Sequence, residues 1–251
     1  MGAQSGLQIA ILGGGVCGLT CAAALAKKGV NAHIYEARVR ASTFTSSGSF
    51  VQTHLRQGKF GEIGAGIGLG CNALAIMKEL GSYEDILANT AEPGRPNLRG
   101  FRFVLGCEGH EELYTRPTPP EEYGAAIHRA ALLETLVKHL DPAYTHFNKR
   151  AVAVTTAEGK PERSVVTFAD GSTAEADVVL IANGVKSQLR SVVTGLDTKD
   201  TLAFSNTVCY RGLVTKEDAD KRGVDTSFWT VPSNACGVGK VGYTPTTMLM
   251  G

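Results

Sequence analysis

Gly13-Gly14-Gly15-Val16-Cys17-Gly18 stands directly after the apolar run Ile9-Ala10-Ile11-Leu12 and constrains the fold more than any other stretch. A strand that ends on glycines and turns at once into a helix presents backbone N–H groups at the turn. Residues without a Cβ at Gly13, Gly15 and Gly18, with Val16 opening the helix, let a partner come close to that backbone. Leu19, Ala22, Ala23, Leu25 and Ala26 then make an alanine-rich helix up to Lys28; Gly29 ends it, and Val30 to Tyr35 reads as a second strand. Glu36 falls at the carboxyl end of that strand, about 20 positions after the glycines, where a carboxylate can accept two hydrogen bonds from a ribose diol. The βαβ pattern predicts a bound dinucleotide. The alternative reading of the same residues is a tight strand–helix turn beside a surface glutamate.

A chain of 251 residues accommodates one large domain or two smaller ones. A formal net charge of +1 with no long basic block argues against nucleic acid as a partner. The first residues lack a charged segment followed by a long apolar core, and Leu7 to Leu12 is too short to span a bilayer, so the expectation is a cytoplasmic protein without a membrane segment. The cysteines, at positions 17, 21, 71, 107, 209 and 236, form no C-x-x-C pair. They are expected to be buried free thiols, with no metal bound.

Periodicity breaks between Arg38 and Lys59, in a Ser-, Thr- and Gly-rich stretch that is long for a loop. Glycines return in Gly61 to Gly70, and a helix follows with Asn72 as its cap and Gly81 at its end; Ser82 with Asp85 suggests a capping box for a short second helix. Pro93 to Pro96 reads as a loop and Phe101 to Leu105 as a strand, while Pro117, Pro119 and Pro120 forbid regular structure before Tyr123. From His128 to Leu140 a helix is expected, with Leu133, Leu136, Val137 and Leu140 as its buried stripe and Asp141-Pro142 as its end. Ala151 to Ala157 and Ser164 to Phe168 alternate as strands, and Asp170-Gly171 turns the chain into Thr173 to Ala176. Asp177 to Ala182 is a nearly continuous apolar strand, of the kind buried on both faces of a parallel sheet. Asn183-Gly184 closes it, and Ser187 can cap a short helix through Val193. Ala203 to Val214 reads as a further strand.

Three of these stretches together resemble the class A flavoprotein aromatic monooxygenases, in particular the fungal salicylate hydroxylase-like proteins. Gly13 to Gly18 with Ile34-Tyr35-Glu36 is similar to their adenine-dinucleotide fingerprint, and Glu62-Ile-Gly-Ala-Gly-Ile67 to the glycine-rich segment that follows it. His128-Arg129-Ala130 matches a helix-opening arginine, and Val178 to Arg190 resembles the second fingerprint, a strand ending in Asp-Gly and running on to Ser and Arg. Here the aspartate is Asn183, which keeps an oxygen acceptor and adds an NH₂ donor.

The resemblance implies an α/β fold: a Rossmann-like, doubly wound FAD-binding domain (1–100 and 125–197) interleaved with a smaller mixed-sheet substrate domain (101–124 and 198–251). It implies FAD as cofactor, reduced by NAD(P)H, and hydroxylation of a small aromatic, salicylate-like or phenolic substrate with O₂. Glu36 would hold ribose, Ala65 would contact the flavin through its backbone, Arg129 would neutralise cofactor phosphate or polarise the flavin's surroundings, and Asn183-Gly184 would complete the nucleotide site. Arg211 would face the substrate's carboxylate or phenolate. The matching residues run from Gln8 to about Trp229 and are interrupted between Arg38 and Phe60, where 40–58 reads as an insertion. The family's third fingerprint, a Gly-Asp before an Ala-His-rich segment, has no counterpart. Three functions therefore stay open: the hydroxylase, a C-terminally truncated nucleotide-binding fragment without hydroxylation, and a simple NAD-dependent dehydrogenase, which has no need of the second fingerprint.

Overall fold

A computed structural model describes residues 6–37, 66–90, 93–96, 98, 101–105, 111–204, 206, 216–223 and 234–238. In chain order the elements are β1 (Ile9–Leu12), α1 (Val16–Lys27), β2 (Ala32–Tyr35), β3 (Gly66–Leu69), α2 (Cys71–Leu80), α3 (Tyr83–Ala88), β4 (Phe101–Leu105), β5 (Glu112–Thr115) and β6 (Ala125–His128). They continue as α4 (Arg129–Val137), β7 (Thr145–His146), β8 (Ala151–Ala157), β9 (Lys160–Phe168), β10 (Thr173–Ala176), β11 (Val178–Ile181), α5 (Arg190–Thr194), α6 (Lys216–Lys221) and β12 (Asn234–Val238). The chain divides into two compact units, 1–48 with 133–205 and 49–132 with 206–251.

The first unit is built on a parallel sheet in the order β11-β1-β2-β7. Every residue of β1 is buried, and alternation assigns its two faces. On one face Ile11 meets α1, whose Leu19, Ala22 and Ala23 are buried together with Ala32 and Ile34 of β2. Fully burying Ile11, Leu19 or Ile34 stabilises the fold by about 1.5–3 kcal/mol each. On the other face Ala10 and Leu12 join Val166, Phe168, Ala176 and Leu189 in one cluster. That face is therefore covered by the antiparallel sheet β10-β9-β8, not by a helix. The turn into β10 is held by Asp170, whose Oδ1 accepts from the Ser172 N–H at 3.0 Å.

The second unit contains the antiparallel pair β3–β6, the sheet β12-β4-β5, and the helices α2 and α3. Leu74, Met77, Ile86 and Leu87 form its buried helical face, and Gly81 ends α2 in the left-handed region with φ 82°.

Several local expectations give way. The cap of α2 is Gly70, and Asn72 lies inside the helix. Ser82 precedes α3 without capping it, because its hydroxyl is drawn back to the Met77 carbonyl at 3.2 Å. His128 belongs to β6, held there by pairing with Gly66, so α4 begins at Arg129. Leu132, Thr135 and Leu136 are the buried residues of α4 and Val137 is 45% exposed; the buried side of the helix takes in Leu132 instead of Leu133. A 3₁₀ turn forms at Pro120–Glu122, where proline is tolerated in a first turn. Val178 is 38% exposed because β11 is an edge strand among the described residues, with β1 as its neighbour. Cys17 and Cys71 are free but exposed, since the packed faces of their helices are taken by other residues. The strand expected at Ala203 to Val214 and the stretch 40–58 lie largely or wholly outside the described residues.

Candidate functional site

The turn between β1 and α1 rests against the turn that leaves β11. Gly13 adopts φ 116°, and a Cβ there would stand 2.6 Å from the Ala182 carbonyl oxygen and 2.9 Å from the Asn183 Cα. Parallel pairing of Leu12 with Ile181 sets this meeting, and the Ala182 N–H donates to the Leu12 carbonyl at 2.9 Å. Two stretches about 170 positions apart in sequence thus share one edge of the sheet, at the carboxyl ends of its strands, where open α/β sheets place their ligands.

The glycines of the turn serve different ends. Gly18 is buried, and a side chain there would collide with the Gly13 carbonyl oxygen. Gly15 is unlike it. Its backbone is extended, with φ −80° and ψ −176°, and a Cβ would meet nothing within 4 Å. Neither conformation nor packing among the described residues calls for glycine at 15. The helix start beside it carries no side-chain cap, the setting in which a helix N-terminus can receive an anion. Val16 is the first helical residue, half-buried beside it.

Glu36 follows β2 and reaches back over the turn. Its Oε2 accepts from the Gly14 N–H at 2.6 Å, which fixes the carboxylate beside the glycines. Its own backbone is clamped on both sides: the Glu36 N–H donates to the His146 carbonyl at 2.8 Å, and the Lys149 N–H donates to the Glu36 carbonyl at 2.9 Å. Gly14 was not among the residues expected at the site; its place within the glycine cluster was the available signal.

Asn183 and Gly184 are exposed at the end of β11, with Gly184 at φ 84°. Beyond them Arg190 does structural work, donating to the Val185 carbonyl at 2.8 Å and the Thr201 hydroxyl at 2.9 Å. Ser187 caps no helix. It is buried, and its hydroxyl has no hydrogen-bond partner among the described residues; α5 begins after Leu189. Gly13, Gly15, Val16, Gly18, Glu36, Asn183 and Gly184 therefore come together in the first unit. Arg129 is half-buried at the start of α4, beside His128, whose Nδ1 accepts from the Ala130 N–H at 3.3 Å. Ala65 and Arg211 lie outside the described residues. Among those residues no group of three or more His, Cys, Asp or Glu could hold a metal ion, and no helix is long and apolar enough to cross a membrane.

Residues 11–57 match the NAD(P)-binding Rossmann-like domain family. The chain is 31% identical over 242 residues to a salicylate hydroxylase of Pseudomonas putida, covering 92% of this chain and 49% of that protein. It is 35% identical over 219 residues to an FAD-dependent monooxygenase of Hypocrea jecorina, covering 84% of this chain and 41% of that one. Its relatives are FAD-dependent monooxygenases. The chain spans about half the length of the monooxygenases it matches. A solved structure, the 2,6-dihydroxypyridine-3-hydroxylase of Arthrobacter nicotinovorans, superposes with a TM-score of 0.62 at 19% identity over 94% of this chain and 50% of its own, a likeness of fold. The expected α/β class and the resemblance to flavoprotein monooxygenases both hold.

Proposed function

We propose that this chain is the FAD-binding portion of a monooxygenase that hydroxylates a salicylate-like or other phenolic substrate with NAD(P)H and O₂. The observation that carries the reading is the meeting of the β1–α1 turn with the end of β11, with Glu36 held over the glycines. The residues present fit a dinucleotide: an uncapped helix start for the pyrophosphate, a glycine at 15 that nothing among the described residues requires, and a carboxylate for a ribose diol.

In this reading the backbone of Gly13, Gly15, Val16 and Gly18 receives the pyrophosphate, and Glu36 accepts from the ribose hydroxyls. Asn183 and Gly184 flank the same edge. Ala65, Arg129 and Arg211 are assigned by resemblance, to the flavin side, the cofactor phosphate and the substrate respectively. When bound, the flavin supplies electron transfer from NAD(P)H and the activation of oxygen; the protein binds, orients and encloses. Because Glu36 is clamped through its backbone, its carboxylate is already placed when the nucleotide arrives, which limits the ordering cost of binding.

Removal of that carboxylate tests the ribose role. Glu36→Ala is expected to raise the Kd for FAD about 10-fold or more, the loss of one or two charge-assisted hydrogen bonds. An unchanged Kd by fluorescence titration would remove Glu36 from the site.

The activity is tested on the purified protein. A yellow preparation that oxidises NAD(P)H in the presence of salicylate and yields a hydroxylated product supports the reading. Bound flavin without product leaves a nucleotide-binding fragment, and NAD binding without flavin would replace the proposal with a dehydrogenase.

A further inference from the structure

The edge strand β7 is two residues long, Thr145–His146, and pairs with β2 at Ile34 and Tyr35. So short a ladder holds little by itself. A second tie lies on the side-chain face turned away from α1, where alternation along β2 places His33 and Tyr35. His33 Nδ1 and His146 Nε2 are 2.9 Å apart, with their rings inclined by only 16°. His146 also stacks on Tyr35 at 4.8 Å, and His33 meets Tyr144 edge-on at 5.1 Å.

We propose that His33 and His146 act as a proton-operated latch: sharing one hydrogen bond they hold β7 on the sheet, and carrying a proton each they release it.

A nitrogen–nitrogen contact of this length needs one donor and one acceptor. It forms when both rings are neutral, and it forms when one is an imidazolium. With both protonated, each facing nitrogen carries a hydrogen, and two cations stand ring to ring. The groups around the pair do not relieve that repulsion. On β2 and the Pro142–Tyr144 turn they are the phenols of Tyr35 and Tyr144, the latter bonded to the Asn31 amide at 3.0 Å. From β9 comes Phe168, which packs on Tyr35 at 4.8 Å. After β7 comes the Lys149 ammonium, 5.4 Å over Phe168, a further positive charge. Asp170 is already engaged by Lys149 at 2.6 Å and by the Ser172 hydroxyl, which hold its carboxyl well below the usual range. The Glu36 carboxylate points elsewhere, to Gly14.

Burial, then His33, then Lys149 lower the basicity of His146. The sign follows from linkage. A histidine whose folded pKa lies below its unfolded value of about 6.5 binds protons more readily in the unfolded chain. The stability it contributes is present above about pH 6.5 and is lost as the pH falls through the depressed folded value. His146, released with β7, is the residue whose carbonyl accepts from the Glu36 N–H, so acid also loosens Glu36. The effect on FAD rests on the function proposed above; the latch itself does not.

The test compares the FAD-free full chain with His146→Gln, and with His33→Gln should the first fail to fold, by thermal melts between about pH 8 and about pH 5. Glutamine keeps a hydrogen-bonding group and cannot be charged. The native Tm is expected to fall further with acid than the variant's, by about 2–4 °C. The His146 ring signal of the native protein, followed by NMR, is expected to titrate below the ordinary histidine value. Parallel melting curves, or a His146 titration at the ordinary histidine value, would overturn the latch. Acid weakening of FAD binding in the native chain, reduced in His146→Gln, supports the coupling to Glu36, and equal weakening in both defeats that coupling. Failure to bind FAD at any pH sinks the proposed function alone, because the melts and ring titrations decide the latch without cofactor.

Discussion

Gly18→Ala is expected to destabilise the protein by about 3 kcal/mol, at the upper end of what overpacking a tight site costs. In a chain of this size that is a fall of roughly 10 °C in Tm. The new methyl would collide with the Gly13 carbonyl oxygen, a backbone atom that no rotamer change can move. Relief requires α1 to withdraw from β1. Yet Leu19, Ala22 and Ala23 on the same helix are buried and hold it there, and Ile11 would also come into contact with the added carbon. The Gly13 turn is pinned on its other side as well, with its N–H donating to the Tyr35 carbonyl at 2.9 Å. Thermal melts of the purified variant check the prediction. A Tm within about 2 °C of the native chain would mean that the helix start is looser than this packing implies.

Gly15→Val separates binding from folding. Among the described residues nothing lies within 4 Å of a Cβ at Gly15, and the extended backbone there suits any residue. The apo protein should therefore lose no more than about 1 kcal/mol, chiefly from placing a poor residue at a helix cap. Affinity for FAD is expected to fall about 100-fold, because a branched side chain would hold the phosphates off the helix N–H groups. Each such bond to a charged group is worth about 1.5–3 kcal/mol. Fluorescence titration and a melt on the same sample give both numbers. Paired with Gly18→Ala, this variant distinguishes a glycine required by the chain from one required by a ligand.

The βαβ opening was legible because its signals are local: an apolar run, glycines at the turn, an alanine-rich helix and a terminal glutamate within 36 residues. The hairpin at Asp170-Gly171 was readable for the same reason. What escaped was decided by distant partners. His128 reads as helix from its neighbours but is drawn into β6 by Gly66, 62 positions earlier. The two residues of β7 carry no strand pattern and exist as a strand because β2 presents a free edge. Ser82 and Ser187 look like caps, yet one bonds back to Met77 and the other is buried. Of the site, Gly13, Gly15, Gly18 and Glu36 stood out as a motif, whereas the Gly14–Glu36 bond and the clamp of His146 and Lys149 on the Glu36 backbone arise only once β2 lies between its neighbours.

The most direct measurement is an equilibrium titration of the folded, full chain with FAD, followed by quenching of flavin fluorescence and repeated with Gly15→Val. Saturable binding near one FAD per chain, weakened about 100-fold in the variant, is the expected result. A folded native chain that leaves flavin fluorescence unchanged at every concentration would contradict the reading of the β1–α1 turn and the end of β11 as one nucleotide site.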